Sequence, residues 1–441
     1  MAPRTVAERP TLNDAMEETE ADTTSAPLVG RRTGLAIAAA FILANASNYS
    51  FQIIAGRTLS LDEYGLLAGF LAVITVITVT TSALQVTTAR ALAAGEAIPD
   101  ERRVDGLTRS ALKVAIVVGL GIVVVSPLLA NVLRVGVLPV ILLAVYIVPA
   151  CLDSIAAGRL QGTRRFGGLA AYSTGQAVMK LAAATLVLLA GARVLGLLTS
   201  VIIGAAVVAL FGLRSTSRAG SVDTHVLGSE SRRSFAALAL FWLILSIDVP
   251  LARVGFEGSD AGLYAAGAVL GKAVLWIPIV VTQVVFPTLV AGTGEPTKSN
   301  HLVRNSSALV IASAGLAVGA LYLFGDAVFR LLYGERYEAA ADIAWKVGLA
   351  VIPLALVNLL MFQQLARRNG SFLKWFVVFA LLEIGLLLVL PQTAGWYAFA
   401  LGTVGLGLLC VVLIAARGHD RTTDGELSNV STQPSDGLSL S

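Results

Sequence analysis

Residues 65–90 read GLLAGFLAVITVITVTTSALQVTTAR, with no charged side chain before the closing Arg90. The hydrocarbon core of a bilayer is about 30 Å thick and is crossed by ~20 helical residues, which this run supplies. A barrel strand would need only ~10 residues in strict alternation, so the stretch predicts a membrane-spanning helix. Runs of the same kind recur on either side. Twelve spans are predicted, near residues 33–55, 65–90, 107–127, 132–151, 167–190, 194–213, 234–256, 262–290, 303–325, 343–366, 372–390 and 396–416. The expected fold class is therefore all-α, a polytopic membrane protein of about twelve transmembrane helices.

Composition leads to the same class. The chain is 56% hydrophobic and only 14% charged, with a mean hydropathy of +0.79. A soluble fold could not cover that much apolar surface. Cys151 and Cys410 both lie in long apolar runs, which leaves neither a disulfide framework nor a Cys/His metal cluster to read. A net charge of +4 could suit nucleic acid, but the basic residues fall in short loops between apolar segments, as membrane orientation requires. No nucleic-acid partner is expected. HExxH, GxSxG and paired-carboxylate patterns are missing, and His225, His301 and His419 fall in predicted loops or the tail. The reading therefore contains no catalytic residue, metal or cofactor, and the chain is not read as an enzyme.

Arg31 and Arg32 followed by the apolar run Leu35–Leu43 imitate a signal peptide, but the segment continues to Ala55 and is read as span 1. Residues 1–30 cluster Asp14, Glu17, Glu18, Glu20 and Asp22 and are expected to form a disordered cytoplasmic tail. The expected plan continues with a six-helix lobe over 31–213, a linker over 214–233, a second six-helix lobe over 234–416 and a disordered cytoplasmic tail over 417–441. Lysines and arginines concentrate in alternate loops, as cytoplasmic loops do. Arg90, Arg102, Arg103, Arg109 and Lys113 flank loop 2–3; Arg159, Arg164 and Arg165 mark loop 4–5; Arg214, Arg218, Arg232 and Arg233 mark loop 6–7. Loop 8–9 adds Lys298 and Arg304, and loop 10–11 adds Arg367, Arg368 and Lys374. The other side holds Arg57, Arg134, Arg193, Arg253, Arg330, Arg336 and Lys346. Both termini are expected in the cytoplasm and the protein in the cell inner (plasma) membrane, as a multi-pass protein.

The halves echo each other. Ala55-Gly56-Arg57 precedes Gly65-Leu66 much as Leu251-Ala252-Arg253 precedes Gly262-Leu263, and Gln85 and Gln283 follow at nearly equal offsets. Two parallel six-helix lobes around a central cavity are a transporter plan.

Polar groups within the spans are costly in lipid, about 2.5–3.5 kcal/mol for a central Lys or Asp on insertion scales, and should face protein or water. Lys180 in span 5 and Lys272 in span 8 are each placed roughly 15 Å below the outer face at 1.5 Å per helical residue, and so could converge on one anion. Tyr172, Gln176 and Lys180 form one polar stripe and Lys272, Trp276 and Gln283 another, both suited to lining a cavity. Span 1 adds Asn48 and Gln52 beside Asn45. The stripe Thr75, Thr78, Ser82 and Gln85 of span 2 is read as interhelical hydrogen bonding. Asp248 in span 7 and Glu383 in span 11 are expected to serve either as ion-pair partners of a lysine or as a site for a coupling proton or sodium ion. Pro250, Pro278 and Pro353 offer kinks.

The stretch Asn45–Gly95, with Gly56-Arg57-Thr58-Leu59, Asp62-Glu63-Tyr64-Gly65 and Thr88-Ala89-Arg90, resembles the polysaccharide-transporter (O-antigen flippase) branch of the multidrug/oligosaccharidyl-lipid/polysaccharide exporters. Asp248, Gly262-Leu263-Tyr264-Ala265-Ala266 and Val285-Phe286-Pro287 are similar to the same family's seventh and eighth helices. The resemblance implies alternating-access export of a polyprenyl-pyrophosphate-linked oligosaccharide from the cytoplasmic to the outer leaflet, with polysaccharide-assembly proteins as possible partners. Three alternatives stand beside it: a multidrug/cation antiporter of the same superfamily, a major-facilitator transporter, and a non-transporting scaffold for envelope assembly. Acidic cavity residues would favour the first, whereas the deepest charges here are lysines.

Overall fold

A computed structural model describes residues 31–93, 101–163, 165–216, 229–257, 259–276, 278, 296–366 and 372–431. The tail over 1–30, most of the linker, the later part of span 8 with Gln283, and residues 432–441 lie outside the described residues. The described chain is helical: α1 (Arg31–Thr58), α2 (Leu61–Ala93), α3 (Glu101–Val132), α4 (Val137–Gly162), α5 (Phe166–Leu189), α6 (Val194–Thr216), α7 (Ser229–Ser246), α8 (Asp248–Gly255), α9 (Asp260–Ala273), α10 (Pro296–Leu332), α11 (Ala340–Ala366), α12 (Leu373–Val389) and α13 (Ala394–Ser431), with a 3-10 turn at Glu335–Tyr337. Eight stretches within these helices are long and apolar enough to cross a membrane on length and composition alone. Polar cavity residues dilute α5, and α12 is only 17 residues long.

Three elements differ from expectation. Span 4 sits further along the chain, because α3 runs on to Val132 and the chain turns through Arg134 at φ 52° before Pro139 enters the first turn of α4. Span 7 is two helices. Pro250 has no N–H to donate to the carbonyl of Ser246, and the helix breaks at Ile247 between α7 and α8. Pro353, by contrast, lies inside an unbroken α11. At the far end α13 continues to Ser431, past the predicted end at residue 416, since an established helix propagates through a segment that lacks proline.

The packing graph reveals the repeat. In the first half α2 packs on α4, α4 on α6, α3 on α4, α1 on α5 and α5 on α6. The second half reproduces each of these five pairs: α9 on α11, α11 on α13, α10 on α11, α7 on α12 and α12 on α13. The molecule is thus two parallel six-helix lobes, with α7 and α8 together standing where α1 stands. The lobes meet where α2 lies against α7, α8 and α9.

At one end of that seam the lobes are sealed. Gly65 and Gly262, the matching glycines of the two repeats, touch: a Cβ on Gly65 would stand 3.0 Å from the Gly262 nitrogen, and one on Gly262 would stand 1.9 Å from the Leu61 oxygen. Arg57 donates through Nε to the Leu332 carbonyl at 2.7 Å and through Nη2 to that of Leu331, closing the C-terminus of α10, where a cation suits the helix dipole. Arg336 returns the contact, donating to the Gly56 and Arg57 carbonyls at 2.6 and 2.8 Å. Arg253 pairs with Asp62 across the seam. Tyr64, Tyr333 and Tyr337 fill the space between, with ring centroids 5.3–5.9 Å apart. Burial pushes the Tyr333 hydroxyl up to about 12.

Candidate functional site

Below the seal the lobes part around a cavity of about 490 Å³, lined from α1, α2, α4, α5 and α6 on one side and α7, α8 and α9 on the other. Asn48, Gln52, Gln176, Lys180, Lys272 and Trp276 all line it, so residues from the three spans predicted to form one site do share one cavity. Among the described residues that line it there is no Asp or Glu.

The two lysines occupy different environments. Lys180 donates to Asn48 Oδ1 and stands 5.0 Å from the centroid of the Phe51 ring. Both partners are neutral, and among the described residues no carboxylate approaches Lys180 within ion-pair distance. Lys272 donates to Asp248 Oδ1 at 2.5 Å, with 15% of its side chain exposed. A charge-assisted bond of that kind is among the stronger polar contacts a protein makes. Asp248 itself is fully buried and accepts a second bond, at 2.7 Å, from the Tyr264 hydroxyl.

Glu383 approaches the same group from α12. It is fully buried, neither carboxyl oxygen has a hydrogen-bond partner among the described residues, and it lies near enough to Asp248, Lys272 and Tyr264 to interact electrostatically. Tyr397 of α13 closes the group, donating to Gln392 Oε1 at 2.8 Å. Trp276 bridges the lobes, its indole N–H donating to the Tyr49 hydroxyl of α1.

Tyr172 is the exception to the stripe expected on α5. Its hydroxyl donates to Asp153 Oδ1 at 2.7 Å, and its ring packs over Gly212. At 100° per residue, positions four apart drift by about 40°, so Tyr172 sits about 80° around the helix from Lys180. Asp153 lies beyond the predicted end of span 4 at Cys151, but on the longer α4 it is an intramembrane carboxyl that hydropathy does not single out. Pro139 as a helix start is the signal that would have moved the span. Arg159, counted as a loop charge, is likewise a buried residue of α4. The α2 stripe does what was expected of it in part: Thr78 pairs with the Tyr146 hydroxyl at 3.1 Å and Gln85 with Gln161 at 3.0 Å, while Thr75 and Thr78 also face the cavity.

Comparison with known proteins places these features in a wider set. The family described as "Polysaccharide biosynthesis protein" matches residues 54–342. Uncharacterized proteins of Mycobacterium tuberculosis and Mycobacterium bovis are 27% identical over 334 residues, covering 70% of this chain and 75% of theirs. Among solved structures, the lipid II flippase MurJ in an inward closed conformation superposes with a TM-score of 0.70 at 10% identity, over 86% of this chain and 87% of that one. An inward-facing multidrug resistance MATE family transporter of the MOP superfamily gives 0.67 at 13%, over 86% and 96%, and an outward-facing one 0.60 at 12%, over 89% and 95%. At such identities the likeness is one of fold.

Proposed function

The chain belongs to the family of polysaccharide biosynthesis proteins and is a membrane transporter, and from that premise we propose that it carries a polyprenyl-pyrophosphate-linked oligosaccharide from the cytoplasmic to the outer leaflet of the plasma membrane by alternating access. The observation that supports this cargo is the sign of the cavity: among the described residues two lysines face it and no carboxylate does. A pyrophosphate needs cationic donors and the sugars need amide and hydroxyl partners, while the polyprenyl tail can remain in lipid. Asn48, Gln52, Gln176 and Trp276 supply the second need and Lys180, with no carboxylate at ion-pair distance among the described residues, the first. A cation antiporter on the same fold would be served by acidic residues on the cavity wall. In this reading the sealed end faces outward, so the conformer is open toward the cytoplasm, and Asp248 with Glu383 serves coupling.

The test is binding of lipid-linked oligosaccharide to purified wild type, Lys180→Ala and Lys272→Ala, each checked for folding. A charge-assisted hydrogen bond contributes about 1.5–3 kcal/mol, so each variant should bind ten- to a hundredfold more weakly. Arginine at either position should rescue only in part, its planar fork differing from a compact ammonium. Unchanged affinity in both folded alanine variants would remove the anion site.

A further inference from the structure

The lysine nearest the second lobe's acids has two possible partners, and only one of them is present in this conformer. Lys272 reaches the cavity wall with part of its side chain while its ammonium is held by Asp248. Behind Asp248 lies Glu383, fully buried with both oxygens orphaned among the described residues. A second ionised carboxylate without hydrogen bonds is too costly to bury, so the trio is balanced when Glu383 carries a proton and Asp248 and Lys272 form the ion pair. Among the described residues, the titratable groups facing Asp248 are Lys272 and Tyr264 from α9, Glu383 from α12 and Tyr397 from α13. Of the charged and titratable residues of α2, another neighbour, Asp62, Glu63 and Tyr64 lie at the sealed end, where Asp62 and Glu63 are engaged by Arg253 and Arg193, and Arg90 lies near the opposite end of the helix.

An anion in the cavity competes with Asp248 for that ammonium. If Lys272 turns to the anion, Asp248 is left as a buried carboxylate with one tyrosine hydroxyl and an acidic neighbour, an arrangement that demands a compensating positive charge. We propose that Lys272 is exchanged between Asp248 and the bound pyrophosphate, and that the Asp248–Glu383 pair takes up one proton from the cavity water each time the anion binds. The incoming charge is a proton rather than sodium on the donor set. A hard cation wants several oxygen ligands around it, whereas a proton needs only a carboxyl oxygen, and Glu383 offers two without a hydrogen-bond partner among the described residues. The exchange rests on the pyrophosphate reading given above and adds to it a linkage between cargo and proton. Its consequence has a definite sign: anion binding strengthens as pH falls, by about tenfold per unit while the exchange titrates.

The experiment is calorimetric titration of the full-length protein with a short-chain polyprenyl pyrophosphate, in buffers of different ionisation enthalpy, comparing wild type with Asp248→Asn. The probe's own protonation cancels in the comparison. Wild type should take up about one proton more than the variant, and Asp248→Asn, with Lys272 already released, should bind more tightly at neutral pH. Should the variant fail to fold, infrared difference spectra of wild type carry the test: binding should raise a protonated-carboxyl band. Equal proton uptake in the two proteins, no such band, or a dependence on sodium in place of choline would overturn the exchange while leaving the anion site intact. Failure of wild type to bind the probe at any pH would sink the pyrophosphate reading and the exchange with it.

Discussion

Gly262 is a residue whose whole contribution is the atom it lacks. A methyl group there would meet the Leu61 carbonyl at 1.9 Å, and backbone on both sides leaves little to yield. Gly262→Ala should therefore fold as two intact lobes yet fail to bring them together at the sealed end. With the native cysteines replaced and a thiol introduced at Thr75, labelling by an impermeant reagent from outside intact cells should rise severalfold over the same thiol beside Gly262. Equal labelling would mean that the seal tolerates the methyl. At this scale the sequence is readable where chemistry is expensive: Lys180, Lys272, Asp248 and Glu383 stand out because charge in an apolar run needs a reason. Tyr172 stands out as well, but its direction is not legible because a four-residue stripe drifts around a helix, and Asp153 does not stand out because it lies beyond the predicted end of its span. Which partner each lysine takes was beyond reach, since Asn48 and Asp248 lie 132 and 24 residues away from them.

The break between α7 and α8 shows what an element contributes beyond its residues. Pro250 costs the helix one hydrogen bond, and the resulting step sets Asp248 at the start of α8, where it meets both Tyr264 and Lys272. Pro250→Ala should restore the bond and straighten the pair. The expected outcome is an unfolding midpoint equal to or above that of wild type together with slower transport; transport at the wild-type rate would detach the break from function. Span existence was legible because apolar length is a strong signal, and Pro250 did mark an interruption. Ends were less so. Long helices such as α3 and α10 project polar first turns beyond the apolar core, and hydropathy alone does not count those residues.

Across the whole molecule, the charge pattern and the seal explain each other. The basic residues assigned to the outer side form the exceptions to the loop asymmetry, and most are engaged there: Arg57 and Arg336 on carbonyls, Arg193, Arg253, Arg330 and Lys346 on Glu63, Asp62, Glu338 and Asp342. Orientation itself is checked by labelling. A single thiol at Ser229 should be protected from an impermeant reagent in intact cells and react once the membrane is opened; reaction from outside would invert the topology. The repeat was visible in the sequence only as paired short motifs, whereas the matched helix contacts make it plain, because symmetry of packing survives long after side chains diverge. The reciprocal grip of Arg57 and Arg336 has one more implication. Each holds main-chain oxygens of the opposite lobe, and every residue type presents such an oxygen. Half of the latch is therefore immune to point mutation, and heredity needs to guard only two arginine codons to keep it.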